Sequence, residues 1–244
     1  MQLIKLNAID STNSYLKELV RTSKVQNNTV VVSQEQIKGR GQRNASWKSI
    51  PNESLTFSVY RTCKGLDISN QFYLAIAVSL AIFKVLNSFK VSGIKIKWPN
   101  DIMSYQKKLC GILIENVWTK GHLSYTIIGI GLNVNEQNFN DLPIATSLFL
   151  ETKKMFDLNE ILKCIVNEIE TQFALLEAQN YNKLHQEYEA VLFRKEMVST
   201  FKNNEGKQFQ GIITGVSPSG LLNVKLENDV QKQYNLKEIS LLLN

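Results

Sequence analysis

The stretch from residue 93 to 135 limits the fold more than any other. "GIKIKWPND" alternates, with Ile94, Ile96 and Trp98 on one face and Lys95 and Lys97 on the other. Pro99 should end that strand and leave Asn100 and Asp101 in a turn. "LCGILIENVW" (109–118) and "LSYTIIGIGLNV" (123–134) read as two further strands. Strands this apolar need cover, and residues 70–89 and 158–178 are long and periodic enough to be buried helices, with another around 181–192. Upstream, TVVVS (29–33) and SLTFSVY (54–60) read as strands. Ser11-Thr12-Asn13 should open a short helix carrying Tyr15, Leu16, Leu19 and Val20. The expectation is a mixed α/β unit dominated by sheet.

After Phe193 the texture changes. Short strands alternate with Asn-Asn, Glu-Gly, Pro-Ser-Gly and Asn-Asp turns and end in "LKEISLLL", the pattern of a small antiparallel β module. This divides the chain into residues 1–190 and 191–244. With 43% hydrophobic and 20% charged residues the chain can bury a sizeable core. A net charge of +6 suits a polyanionic ligand, yet no block of basic residues marks a nucleic-acid surface. Cys63, Cys110 and Cys164 are widely spaced and form no zinc-ligand pattern, as expected of a cytoplasmic chain. The start is too polar for a signal peptide. Ser79 and Lys84 interrupt the apolar run 72–86, so no membrane span is expected.

Nucleophilic catalysis by the protein has little support. His122 and His185 are isolated, and no H-E-x-x-H, G-x-S-x-G or P-loop pattern occurs. What remains is a set of polar, glycine-rich strand ends: Ser11 to Asn13, Gln36 with "GRGQRNASW" (39–47), Lys97 to Asp101, Lys108 to Gly111, and Gly129 to Asn133. Each has a plain structural reading. Ser-Thr-Asn can be only a helix cap, Lys107 and Lys108 a solvated hairpin end, Gly129 and Gly131 a bulge, Asp101 a turn residue. The Gly-Arg loop fits such a reading least, because two arginines among glycines call for an anion. Arg40, Arg43 and Lys108 could gather a carboxylate and a nucleotide phosphate. Asp101 could hold Mg²⁺ on the phosphates or pin a lysine, Trp47 offers an aromatic surface, and Asn133 could read a base or anchor a loop. A site of this kind works by positioning and charge neutralisation.

In order and spacing, STN (11–13), Q-x-x-G-R-G (36–41), Trp47, KWPND (97–101), K-L-x-G-I-L-x-E (108–115) and G-I-G-x-N-V-N (129–135) resemble the biotin–protein ligases. The resemblance spans nearly the whole chain, and KEISLL looks like the end of that family's small C-terminal domain. It implies an α+β fold: a mixed-sheet catalytic domain of the biotin/lipoate ligase type with helices on one side, followed by a small SH3-like β-barrel. It also implies two steps. Biotin attacks ATP, with Mg²⁺, to give biotinyl-5′-AMP, and the adenylate then acylates a lysine of a biotin carboxyl carrier protein or domain. By the same resemblance Ser11, Thr12, Asn13, Gln36 and Gly111 would contact biotin, and Arg40, Gly41 and Gln42 would lie along the mixed anhydride. Lys108, with Arg40, would be catalytic. Arg43, Trp47, Lys97, Asn100, Asp101, Gly131 and Asn133 would belong to the ATP side, Asp101 also reaching the metal.

Two points depart from the family pattern. Gln42 and Ala45 stand where arginines are common, and Asn44 replaces a glycine; Arg43 or a nearby lysine is expected to compensate. Only about ten residues precede Ser11, so a ligase without a DNA-binding domain is expected, acting as a monomer or homodimer and binding neither DNA nor membrane. The rival readings are a lipoate or octanoate ligase, a nucleic-acid-binding module on the C-terminal β unit, and a protein that binds biotin without turnover. KWPND and the Gly-Arg loop favour biotin over lipoate. Phe201, Phe209 and Tyr234 are too widely spaced among basic residues to favour nucleic acid.

Overall fold

Strand alternation builds a sheet with two unlike faces. The structure, a computed structural model, describes residues 2–42, 45–63, 65–140 and 142–243. Its first sheet runs in the order β1 (Gln2–Ile9), β2 (Thr29–Gln36), β3 (Ser54–Arg61), β7 (His122–Asn133), β6 (Lys107–Thr119), β5 (Asp101–Ser104) and β4 (Ile94–Lys97). β1 and β2 are parallel, joined by the crossover helix α1 (Thr12–Thr22), and the other neighbours are antiparallel. Val30, Leu55, Phe57, Ile128 and Ile130 join one core, whereas Val31 and Ile127 pack on Leu16 of α1 across the opposite face.

The helical layer on the first face consists of α2 (Phe72–Ser88), α4 (Leu158–Glu177) and α5 (Tyr181–Ala190), with α1 alone on the second. In α4 the buried Ile161, Leu162, Ile165, Ile169, Phe173 and Leu176 keep the helical period. The segment Ile68–Ser88 is long and apolar enough to cross a membrane, with a mean hydropathy of 1.5. Here that apolarity serves burial: Leu74, Ile76, Ala77, Leu80, Ala81 and Ile82 of α2 are all in the core. A short helix, α3 (Leu148–Thr152), is capped by the Ser147 hydroxyl, which accepts from Leu150 N.

The second sheet is antiparallel, in the order β11 (Gln231–Tyr234), β10 (Leu222–Lys225), β9 (Gln208–Val216), β8 (Val198–Asn203) and β12 (Ile239–Leu241). Phe201, Ile213, Val224 and Tyr234 continue the hydrophobic core of the first. Chain 191–193 covers the open edge of β4, with Ile96 N donating to Val191 O and Phe193 N to Ile96 O. Trp98 Nε1 donates to Gly220 O at 2.9 Å, and Glu189 accepts from Val216 N at 2.8 Å, so both contacts grip the β9–β10 connection. One local expectation is corrected. The turn comprises residues 98–100, and Asp101 is already the first residue of β5, paired with Lys97 and Gly111.

Candidate active site

The face opposite α2 loses its side chains in the middle of the sheet, where Gly111 of β6 pairs with Gly131 of β7 and Gly129 lies two residues along. These glycines do not mark a bulge; the β6–β7 register shift is at Val117 and Trp118. They form a floor on which other groups lie. A β-carbon at 131 would overlap the Trp47 indole, and one at 129 would stand 3.0 Å from Asn13 Cγ. A cleft of about 290 Å³ opens over this floor.

At one end, Ser11 is the N-cap residue of α1, yet its side chain makes no capping bond and instead lines the cleft. Gln36, at the end of β2, reaches across to α1. Its Oε1 accepts from Thr12 N at 2.8 Å and from Thr12 Oγ1 at 3.1 Å. Asn13 accepts from Ser58 Oγ at 2.5 Å and donates to Glu115 Oε2 at 2.8 Å. Ser11, Thr12 and Asn13 are nearly fully buried, and hydrogen bonds hold the polar groups of Thr12 and Asn13.

The Gly39–Trp47 loop folds back on itself and over this end. Trp47 N donates to Gly39 O, Gly41 N to Ala45 O, and Arg40 bridges Ser46. Arg40, Gly41, Gln42 and Trp47 line the cleft; Arg43 lies outside the described residues. Arg40 Nη2 is 3.0 Å from Glu115 Oε2, and Lys17 Nζ is 2.5 Å from Glu115 Oε1. Burial alone would raise the Glu115 pKa. Hydrogen bonds from Lys17 and Asn13 and the charges of Arg40 and Lys17 outweigh it, holding the carboxyl below its usual range. Trp47 Nε1 is buried and has no hydrogen-bond partner among the described residues.

A bulge aims the other end. Between β5 and β6 the register slips so that Ile102 faces Cys110 and Met103 faces Lys108, leaving Leu109 extra. Leu109 and Cys110 are consecutive and both in the core. Simple alternation would send Lys108 to the face opposite Gly111; the bulge returns it to the same face. Lys108 Nζ sits 2.6 Å from Asp101 Oδ1 and 5.7 Å above the Trp47 ring. The backbone of Lys108 is clamped by residues 144–146, its N–H donating to Ile144 O and its carbonyl accepting from Thr146 N. Lys97 Nζ is 3.9 Å from Asp101 Oδ2. Burial, aided by the like charge of Lys108 and opposed by Asp101, draws the Lys97 pKa below its ordinary value. Asn100 lines the cleft beside them and spends its amide on Ile112 O.

Asn133 is not among the lining residues. Buried, it donates to Thr146 O at 2.8 Å and so ties the end of β7 to the segment that clamps Lys108. His122 pairs with Asp67 and His185 with Glu189, and neither reaches the cleft. Among the described residues no group of three or more His, Cys, Asp or Glu could hold a metal, and Asp101 is already neutralised by lysines. Sequence reasoning missed three contributors. Glu115 closes the K-L-x-G-I-L-x-E segment but was given no role. Ser58 hides in an apolar strand. Leu222, Ile239 and Leu241 of the second sheet wall the cleft from a distant part of the chain.

The sequence and the fold were also compared with known proteins. Residues 6–133 match the model of the biotin/lipoate A/B protein ligase family. The bifunctional ligase/repressor BirA of Escherichia coli strain K12 is 26% identical over 245 residues, covering 97% of this chain and 73% of that protein. A biotin–[acetyl-CoA-carboxylase] ligase of Mycobacterium tuberculosis is 26% identical over 165 residues, covering 66% of this chain and 60% of its own length. The solved biotin protein ligase of Aquifex aeolicus in complex with biotin and ATP superposes with a TM-score of 0.83 at 26% identity, covering 100% of this chain and 99% of that one. The chain therefore belongs to the biotin/lipoate A/B protein ligase family.

Proposed function

We propose that this chain is a biotin–protein ligase. It joins biotin to ATP as biotinyl-5′-AMP and passes the biotinyl group to one lysine of a biotin carboxyl carrier protein or domain. The observation that carries this reading is the cleft itself. It draws the Thr12–Gln36 pair, Arg40, Trp47 and the Lys97–Asp101–Lys108 group from separate elements onto one glycine floor. Among the described residues that line it, none is a nucleophile poised beside a base, which suits a reaction between two bound substrates.

In this reading Ser11, Thr12, Asn13 and Gln36 hold the polar end of biotin, with the Gly111 backbone beside them. Arg40, Gly41 and Gln42 follow the carboxylate toward the nucleotide. Arg43, Trp47, Lys97, Asn100 and Gly131 belong to the ATP side, where the unpartnered Trp47 Nε1 is a donor for a ligand acceptor. A biotin carboxylate oxygen attacks the α-phosphorus, the bond to the bridging oxygen breaks, and pyrophosphate leaves with the electron pair. Lys108, with Arg40, neutralises the charge that crowds the two anions and the phosphoryl oxygens. In the second step the neutral amine of the carrier lysine attacks the acyl carbon, AMP leaves with the electron pair, and the nitrogen loses a proton. Mg²⁺ bound with the triphosphate would spread its charge; Asp101, the one carboxylate among the described lining residues, is engaged by Lys97 and Lys108 and would act on the nucleotide side by holding those lysines. The second sheet, read as an SH3-like barrel, excludes water from that side. A cytoplasmic location fits the free cysteines.

A biotin-dependent ATP–pyrophosphate exchange assay with Mg²⁺, run beside lipoate and octanoate, tests this in wild type and Lys108→Ala. Exchange with biotin alone, reduced by about 10²–10³-fold in the variant, is the expected result. Exchange with lipoate or octanoate instead would keep the mechanism and overturn the substrate; no exchange with any acid would overturn the enzyme.

A further inference from the structure

Glu115 borders the cleft through the lining residues Asn13 and Arg40, and the two-step reaction assigns it nothing. It lies on β6, its side chain about one-fifth exposed, and three groups from two other elements converge on it. Asn13 Nδ2 and Lys17 Nζ come from α1, at 2.8 and 2.5 Å, and Arg40 Nη2 from the Gly-Arg loop at 3.0 Å. The geometry points to Glu115 as the positioning residue for Arg40, pinning the Gly39–Trp47 loop over the cleft and turning the guanidinium toward the reacting anions. This inference rests on the ligase reading, because it is Arg40's work on the adenylate that Glu115 serves.

Three features support it. Glu115 takes hold of Arg40 at a single nitrogen, and among the described residues no other side chain bonds the guanidinium, so the rest of the fork is left for a ligand. Lys17 shares the carboxylate, so Glu115 is not a bare negative charge facing an anionic substrate. Asn13, which shares Oε2 with Arg40, also meets Ser58 and overlies Gly129, so the same carboxylate registers the loop against α1 and the cleft floor. Removing the charge leaves a folded sheet, because Glu115 also pairs through its backbone with Ile127 of β7. What is lost is the loop's anchor.

The test uses Glu115→Gln, which keeps the size, with Arg40→Gln and the double variant. Two readouts are taken: the rate of trypsin cleavage after Arg40 without substrates, in wild type and Glu115→Gln, and the kcat and KM of biotin-dependent pyrophosphate exchange in all four proteins. Gln keeps one acceptor oxygen but removes the charge, and a neutral acceptor holds a guanidinium about half as strongly as a carboxylate does, about a tenfold change, so cleavage should be about tenfold faster in Glu115→Gln, and kcat/KM about tenfold lower. Adding Glu115→Gln to Arg40→Gln should lower kcat/KM by less than about twofold more, since neighbours that act together are not additive. Independent, multiplying losses in the double variant would overturn the proposal, as would an unchanged cleavage rate. If wild type shows no exchange, the ligase reading fails by itself, and the cleavage arm still decides whether Glu115 pins the loop.

Discussion

Gly131→Ala isolates the contact on which the cleft floor depends. The backbone at 131 is ordinary strand, so alanine meets no conformational penalty there and can gain slightly over glycine. The three atoms nearest the added β-carbon all belong to Trp47. It would stand 2.7 Å from Cζ2 and Nε1 of Trp47, and nearer still to Cε2, where ordinary contact begins at 3.4 Å. The indole must therefore retreat by roughly 1 Å or lift away with its loop, and overpacking of this kind costs about 1–3 kcal/mol. For a chain of this size that corresponds to a fall of about 2–12 °C in Tm. Trp47 emission should shift to the red as the ring meets water, against a constant background from Trp98 and Trp118. The assay is thermal unfolding and fluorescence of wild type, Gly131→Ala, Trp47→Ala and the double variant. With the indole gone, Gly131→Ala should cost less than about 0.5 kcal/mol, a coupling well outside additivity. An equal cost in both backgrounds would refute the reasoning, for it would mean that Trp47 does not lie on Gly131.

Two further outcomes separate structural from chemical roles. Asn133→Ala strands the buried Thr146 carbonyl and should cost about 1–3 kcal/mol in denaturant unfolding, while the KM for ATP in pyrophosphate exchange stays within about twofold; a large KM effect would return Asn133 to the nucleotide side. Glu189 joins α5 to the second sheet. Burial alone would raise its pKa, but hydrogen bonds from Val216 N and Lys195, with the charges of Lys195 and His185, bring it below the ordinary 4.5. A carboxyl depressed on folding contributes stability above 4.5 and loses it as pH falls through the folded value. The Tm gap between wild type and Glu189→Gln should thus be widest near neutrality and close in acid; a constant gap would rule the linkage out.

Much of this molecule is local information. The Ser-Thr-Asn start and the spacing of Leu16 and Leu19 define α1, the apolar run of α2 forces it into the core, and alternation places Val30 and Val31 on opposite faces of β2. Glycines at 129 and 131 announce a missing row of side chains, which is why the cleft was legible as a set of strand ends. Other elements had no such signal. β1 is half exposed with Gln2, Lys5 and Asn7 among its apolar residues, and β5 is only four residues long beside a proline turn, so neither shows a clear period.

The site's working geometry belongs to the tertiary structure. Nothing in KKLCG says that Leu109 bulges, yet that one extra residue decides whether Lys108 faces the cleft beside Gly111 or the opposite side of the sheet. Asp101 reads as a turn residue until pairing with Gly111 makes it the first residue of a strand and sets it against Lys108. Asn133 reads as a ligand contact until residue 146, brought back across the sheet, consumes its amide. Sequence by itself determined which residues could lie on which element, because helix and strand periods are local properties of the chain. Which of those residues meet was decided only in three dimensions, because a register slip, a counter-charge or a hydrogen-bond partner is supplied by segments far away along the chain.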